Sequence, residues 1–165
     1  LGMRLAVSGQ FRSYNNYTGV GNKLVLTLFA KDIKMADMAE NPVNEIYLNG
    51  YICKPIVYRV TPFGREIADI LLAVNRAFNK SDYIPCIAWG RNARFVKNLT
   101  VGEKIALSGR IQSREYQKKI SETETKLLTA YEVSVSKLAA FDSATEFDVD
   151  REFDLEVLQQ ERETV

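Results

Sequence analysis

Histidine is absent from the 165-residue sequence. That removes every Ser-His-Asp or Cys-His arrangement, every zinc site that needs an imidazole, and the usual general base at neutral pH. Cysteine occurs twice, at Cys53 and Cys86, too few for a disulfide scaffold or a structural zinc site and without a CxxC spacing. A reducing, intracellular and cytoplasmic setting is the simplest reading of that usage. No apolar run approaches the roughly 18 residues of a membrane span, so no membrane partner is expected. The opening Leu1-Gly2-Met3-Arg4 lacks the charged and then apolar regions of a secretory signal. No Gly-x-x-x-x-Gly-Lys-Ser/Thr run occurs, so there is no P-loop.

What is present is ordinary globular material: 46% apolar and 26% charged residues, enough for one domain or one and a fraction. The net charge of +1 conceals an asymmetry. Residues 142–165 hold nine acids and two bases, whereas residues 1–141 hold 20 bases and 12 acids. A basic body with an acidic tail suits a polyanion partner. A solvated tail on an ordinary basic domain fits the composition as well.

Strand signals dominate residues 1–35 and 46–136. Arg4–Ser13 and Lys23–Ile33 flank the turn-rich stretch 14–22 and read as a hairpin with a long loop. Residues 36–45 read as a linker. Ile46–Ile52, Glu66–Asn75 and Tyr83–Trp89 read as strands, with turns at Thr61-Pro62-Phe63-Gly64 and Asn79-Lys80-Ser81-Asp82. The spacing of Ala93, Val96, Lys97 and Leu99 predicts a helix over Arg91–Leu99. Glu103–Arg114 and Thr125–Leu138 form a second long hairpin. In the tail, about 147–160, apolar residues among acids slightly favour a short helix. The order strand, strand, strand, helix, strand, strand predicts an all-β chain built on a five-stranded OB barrel, with one short helix between strands 3 and 4. A small α+β sheet would give the same coarse pattern.

The chain also repeats itself. Residues 1–13 align without a gap on residues 101–113, with Gly2, Ala6, Ser8, Gly9 and Ser13 identical to their counterparts. Beyond a loop longer by two in the second copy, Thr27, Phe29 and Ile33 fall on Thr129, Tyr131 and Val135. Thirteen aligned positions argue against chance likeness of two hairpins. Residues 1–35 therefore read as the last two strands of a partial OB repeat, residues 46–141 as the complete barrel and residues 142–165 as an acidic tail. A two-stranded ribbon is marginal alone. The expectation is a more complete first barrel, its missing strands supplied upstream or by another subunit.

The chemistry-bearing residues of the second barrel are aromatic and basic. Phe78 ends one strand, Tyr83 begins the next, Trp89 ends it, and Tyr116 sits in the last hairpin loop. Around them lie Arg76, Lys80, Arg91, Arg94, Lys97, Arg110, Arg114, Lys118 and Lys119. Aromatic faces stack on bases regardless of sequence, and cations follow phosphates. By residue type alone, Trp89 and Tyr83 fit the core of a buried strand more readily than a binding face.

These residues resemble a known family. Ile46-Tyr47-Leu48-Asn49-Gly50, Lys54-Pro55, Thr61-Pro62-Phe63-Gly64, Leu72-Ala73-Val74-Asn75-Arg76, Ile87-Ala88-Trp89-Gly90 and residues 102–114 resemble, in order, motifs of the bacterial single-stranded-DNA-binding proteins. The resemblance covers residues 46–138. It implies an OB fold that coats single-stranded DNA in replication, recombination and repair, without catalysis and without a cofactor. It implies four base-stacking positions, which fall on Phe78, Tyr83, Trp89 and Tyr116, with Tyr14 or Tyr17 standing for Tyr116 in the first copy. Phosphate contacts are then expected from Arg76, Lys80, Arg91, Arg110, Arg114, Lys118 and Lys119, and no residue is a metal ligand. A homo-oligomer, dimer or tetramer, is expected, with replication or repair proteins as further partners. Two departures stand out. The loop between Phe78 and Tyr83 is shorter than usual in the family, and the tail lacks a Pro-Phe tip, which puts tail-borne recruitment in doubt. The tail acids read instead as a solvated segment competing with DNA for the basic groove. The alternatives are an OB-fold assembly module, primosome-like or phage-encoded, and a single-stranded RNA binder.

Overall fold

The computed structural model describes residues 2–16, 23–37, 41–119 and 125–141. The tail, with its expected helix, and Tyr17 lie outside these residues. Among the described residues eight strands and one helix follow in the order β1 (Leu5–Asn16), β2 (Lys23–Met35), β3 (Ile46–Ile52), β4 (Val57–Val60), β5 (Glu66–Arg76), β6 (Lys80–Trp89), α1 (Arg91–Val96), β7 (Lys104–Lys119) and β8 (Thr125–Ala140). Among the described residues no helix is long and apolar enough to cross a membrane.

β3 to β8 form one sheet in the order β3-β7-β8-β6-β5-β4. A further antiparallel pairing of Tyr51 and Ile52 in β3 with Ala73 and Leu72 in β5 closes it into a barrel. Parallel pairing of β6 with β8 at Cys86↔Val133 and Ile87↔Ser134 seals the other seam. The inside is built by strand alternation. Ala68, Ile70 and Leu72 of β5, Ile84, Cys86 and Ala88 of β6, Ile105 and Leu107 of β7, and Val133 and Val135 of β8 form one buried cluster. Ala93 and Val96 of α1 join that cluster. This is the OB barrel with its short helix between the third and fourth barrel strands.

Three local expectations change. The helix is shorter than Arg91–Leu99. Leu99 N–H bonds to the Val96 carbonyl at 2.9 Å, an i→i+3 closure that tightens the chain while Leu99 still packs on the core. The β5–β6 turn is Ala77–Asn79, not Asn79–Asp82, because Arg76 pairs with Lys80 and the strand resumes there. β4 was not foreseen. It is four residues between two prolines, and its pairing with β5, Val57↔Asp69 to Val60↔Glu66, is a tertiary fact.

β1 and β2 form a separate two-stranded sheet. Its register bears on the internal repeat. The β1–β2 ladder slips between Ser8 and Gly9, and the β7–β8 ladder slips between Ser108 and Gly109, the same place at an offset of 100. At both bulges a side chain is excluded: a Cβ would lie 2.2 Å from the Phe29 carbonyl oxygen at Gly9 and 2.1 Å from the Ser134 carbonyl oxygen at Gly109. The second strands are displaced from the sequence-based alignment, however. Ser13 pairs with Leu26 and Ser113 with Tyr131, so their equivalent positions differ by 105 rather than 102.

The hairpin is seated on the barrel by one end. Phe11 and Leu26 pack against the core cluster. Ser13 N–H donates to Asp82 Oδ1 at 2.8 Å, and Tyr83 N–H donates to Ser13 Oγ at 2.6 Å. Asp82 is 2% exposed. Arg76 Nε stands 2.7 Å from its other oxygen, close enough for charge pairing but off the hydrogen-bonding line. A buried carboxylate held in this way costs little, whereas an unpaired one is strongly destabilising.

The bulge glycines carry a stability prediction. Gly109→Ala drives a Cβ into backbone, and the barrel should lose about 1–3 kcal/mol. Gly9→Ala makes the same clash in the hairpin, outside the barrel, and should leave the barrel transition near that of the unsubstituted protein. Urea unfolding followed through Trp89 fluorescence checks both.

Candidate nucleic-acid interface

Alternation along β6 turns Asp82, Ile84, Cys86 and Ala88 inward and leaves Tyr83, Pro85 and Trp89 on the outer face, where Ile87 between them is nevertheless buried. Tyr83 is 43% exposed and Trp89 38% exposed, so neither is a core residue. They stand about 20 Å apart along the strand, by a rise of about 3.3 Å per residue. Ser134 of β8 lies beside Ile87, and Arg110 of β7 lies opposite Ser134. Arg110, Gln112, Arg114 and Tyr116 alternate onto this same face, and Tyr116 is 39% exposed. Tyr116 belongs to β7, not to a loop as its position suggested. The outer surface of β6, β8 and β7 therefore presents Trp89, Tyr83 and Tyr116 together with Arg110 and Arg114.

Phe78 sits apart, at the tip of the β5–β6 turn rather than at a strand end. Its φ is 62° and that of Asn79 is 54°. A left-handed residue other than glycine or asparagine is uncommon, and the conformation costs about 1–2 kcal/mol. Its ring is 94% exposed. Tyr14 lies exposed on β1. An open cleft of about 1670 Å³ runs between the hairpin and the barrel, bordered by Arg4, Arg12, Lys34, Arg76, Phe78 and Lys80 among others.

The cations divide into two groups. Arg114 Nε donates to Glu132 Oε1 and Oε2 at 3.1 and 3.2 Å, and Gln112 Nε2 donates to Oε1 at 3.0 Å. Glu132 is buried, and these bonds satisfy its charge. They also hold the guanidinium with its carbon 5.8 Å from the centre of the Tyr116 ring. Arg76 is held by Asp82. Arg94 pairs with Glu66, which also accepts from the Tyr58 hydroxyl. The Tyr58 bond first, and then Arg94, hold the Glu66 carboxyl below its ordinary range, and the same bond to Glu66 pushes the Tyr58 hydroxyl up against the pull of Arg94. Lys97 lies over the Tyr58 ring. By contrast, Lys80, Arg91 and Arg110 are exposed and have no ion-pair partner among the described residues. Lys118 and Lys119 end β7.

Sequence reading missed Ser13, Asp82, Gln112 and Glu132. Each acts across strands far apart in sequence, and no local signal marks it. The chemistry otherwise suits binding. Burial pushes both thiols up, Cys86 the more strongly, so neither is a poised nucleophile. Among the described residues no group of three His, Cys, Asp or Glu is placed to hold a metal ion.

Known proteins converge on the same architecture. "Single-stranded DNA-binding protein 1" of Staphylococcus aureus (strain COL) is 38% identical over 82 residues, 46% of this chain and 49% of that protein. "Single-stranded DNA-binding protein A" of Bacillus subtilis (strain 168) is 37% identical over 82 residues, 46% of this chain and 48% of that protein. The chain thus spans about half the length of the curated relatives it matches. The crystal structure of the wild-type single-stranded DNA binding protein from Thermus aquaticus superposes with a TM-score of 0.66 at 18% identity, over 89% of this chain and 64% of that one. A deletion variant of the same protein gives a TM-score of 0.68 at 17% identity, over 87% and 63%. Coverage that large extends beyond the barrel into the β1–β2 hairpin. The sequence profile of the single-strand binding protein family matches residues 43–138, which is the barrel and more than half of the sequence, and the chain belongs to that family.

Proposed function

We propose that the chain binds single-stranded DNA with little sequence preference and without catalysis. The observation that carries the reading is the row of half-exposed aromatics on one face of the barrel, Trp89, Tyr83 and Tyr116, flanked by cations. Unpaired bases need π-faces and a dense backbone charge needs cations, and this surface offers both. Membership in the family and the names of its relatives support the same ligand.

Within this reading Trp89, Tyr83 and Tyr116 stack on bases along the outer face, Phe78 extends the platform from its turn, and Tyr14 adds to it from the hairpin. Lys80, Arg91 and Arg110 neutralise phosphates, with Lys118 and Lys119 continuing along β7. Arg76 and Arg114 are engaged by buried carboxylates, so their first task is to hold the site in shape. Roles in replication, recombination and repair follow from single-strand coating.

We also read the β1–β2 hairpin as a second copy of β7–β8. Ile105, Leu107 and Val133 fill the barrel core, and their equivalents by register, Leu5, Val7 and Leu28, are 49%, 41% and 45% exposed. That apolar face is the inward face of a second barrel and supports assembly, including a homo-oligomer. It is also the one observation favouring the second reading, an OB-fold assembly module.

The deciding experiment is titration with oligo-dT while following Trp89, the single tryptophan, with duplex DNA and oligo-rU as competitors. Quenching by dT, little response to duplex, and an affinity falling with log salt at roughly −0.7 per neutralised phosphate are expected. Absence of any complex in the titration and in a gel shift would replace this reading with the assembly module. Preference for rU would move the ligand to RNA.

Trp89→Ala should keep the barrel folded, since the ring lies on the outer face, and weaken dT binding by about 1–3 kcal/mol. Equilibrium binding by fluorescence anisotropy of labelled dT measures it. Unchanged affinity would remove Trp89 from the contact set.

A further inference from the structure

We infer that Ser13 is a positioning residue for Tyr83, so that the β1–β2 hairpin shapes the nucleic-acid face of the barrel from behind. The inference rests on the single-strand reading of that face. On one side of β6, Tyr83 pairs with Ala73 of β5. On the other side, pairing with β8 begins at Cys86, so the main chain at Tyr83 has no strand neighbour there among the described residues. Ser13 takes that place. Its hydroxyl accepts the Tyr83 N–H at 2.6 Å, and its own N–H is anchored on Asp82 Oδ1 at 2.8 Å.

Asp82 and Tyr83 point to opposite faces of β6, the first into the barrel and the second toward the ligand surface. A clip that grips the peptide between them sets the direction in which the Tyr83 side chain leaves the strand. The grip is stiff because its far end is buried: Ser13 is 8% exposed, and Asp82 is paired with Arg76 at the end of β5. Arg76 is also the residue from which the Phe78 turn departs. Removing the hydroxyl leaves the Tyr83 N–H without its acceptor, and the strand relaxes toward water or another partner.

The test is a double-mutant cycle on the full chain. Dissociation constants for oligo-dT are measured for the unsubstituted protein, Ser13→Ala, Tyr83→Ala and the double variant, with Ser13→Thr as the conservative rescue. Ser13→Ala keeps the main-chain bond to Asp82 and lies outside the barrel core, and thermal unfolding of the barrel confirms that it is folded. Ser13→Ala should weaken binding about 3- to 10-fold. Ser13→Thr, which keeps the hydroxyl, should stay within about 2-fold of the unsubstituted protein. In the Tyr83→Ala background, Ser13→Ala should have no further effect, because its action passes through that ring. A merely structural role would lower the melting temperature and leave affinity and coupling untouched, which would overturn the inference. An equal loss in both backgrounds would overturn it too. Failure of the unsubstituted protein to bind dT would instead overturn the single-strand reading beneath it.

Discussion

The barrel closes at Gly50. β3 pairs with β7 along Ile46–Tyr51, and from Tyr51 itself it also pairs with β5, at Tyr51 and Ile52. For one strand to serve two neighbours on crossing paths, the backbones must nearly touch, and a Cβ at Gly50 would lie 2.4 Å from the Ala73 carbonyl oxygen. Closure there leaves the six-stranded sheet with an inside and an outside. The inside takes the aliphatic residues of alternate positions, and the outside of β6, β8 and β7 becomes a continuous curved surface. The face that carries Trp89, Tyr83, Tyr116, Arg110 and Arg114 depends on that division, because alternation sorts rings and cations to the outside of a closed ring.

Much of the fold was legible because alternation is a local signal and closure gives it one meaning. The runs at 66–75 and 83–89 read as strands because they are short and apolar, and in the structure alternate residues of each, Ala68, Ile70 and Leu72 and then Ile84, Cys86 and Ala88, fill the core. What was not legible depends on register or on conformation. Val57–Val60 is strand because β5 lies beside it. Tyr116 is strand because β7 extends past the barrel with β8 as its partner, Tyr116↔Leu128. The turn at Ala77–Asn79 puts Phe78 where a sequence reading expects glycine or asparagine, so the reading placed the bend two residues late.

The repeat shows the same boundary between local and long-range information. Its first strand aligns on residue identities, and the shared bulge at Gly9 and Gly109 gives those identities a steric cause. Its second strand misaligned by three residues. Loop length and the extra residue opposite each bulge are set by pairing, which no residue-by-residue likeness reports. The candidate site divides in the same manner. The aromatics were singled out by the family resemblance, since residue type alone favoured the core for Trp89 and Tyr83, whereas the buried carboxylates Asp82 and Glu132 became meaningful when strands brought Ser13, Arg76 and Arg114 to them.

The left-handed backbone at Phe78 sets stability against use. A glycine there would erase the conformational penalty and remove a large apolar ring from water. Selection for stability by itself would therefore discard phenylalanine at this position. A chain that retains it holds a small reserve of strain at an exposed tip, which a stacked base would offset by covering the ring. Under the proposed stacking role, the tip is where a redesign that chooses residues by folding energy would trade a binding contact for stability.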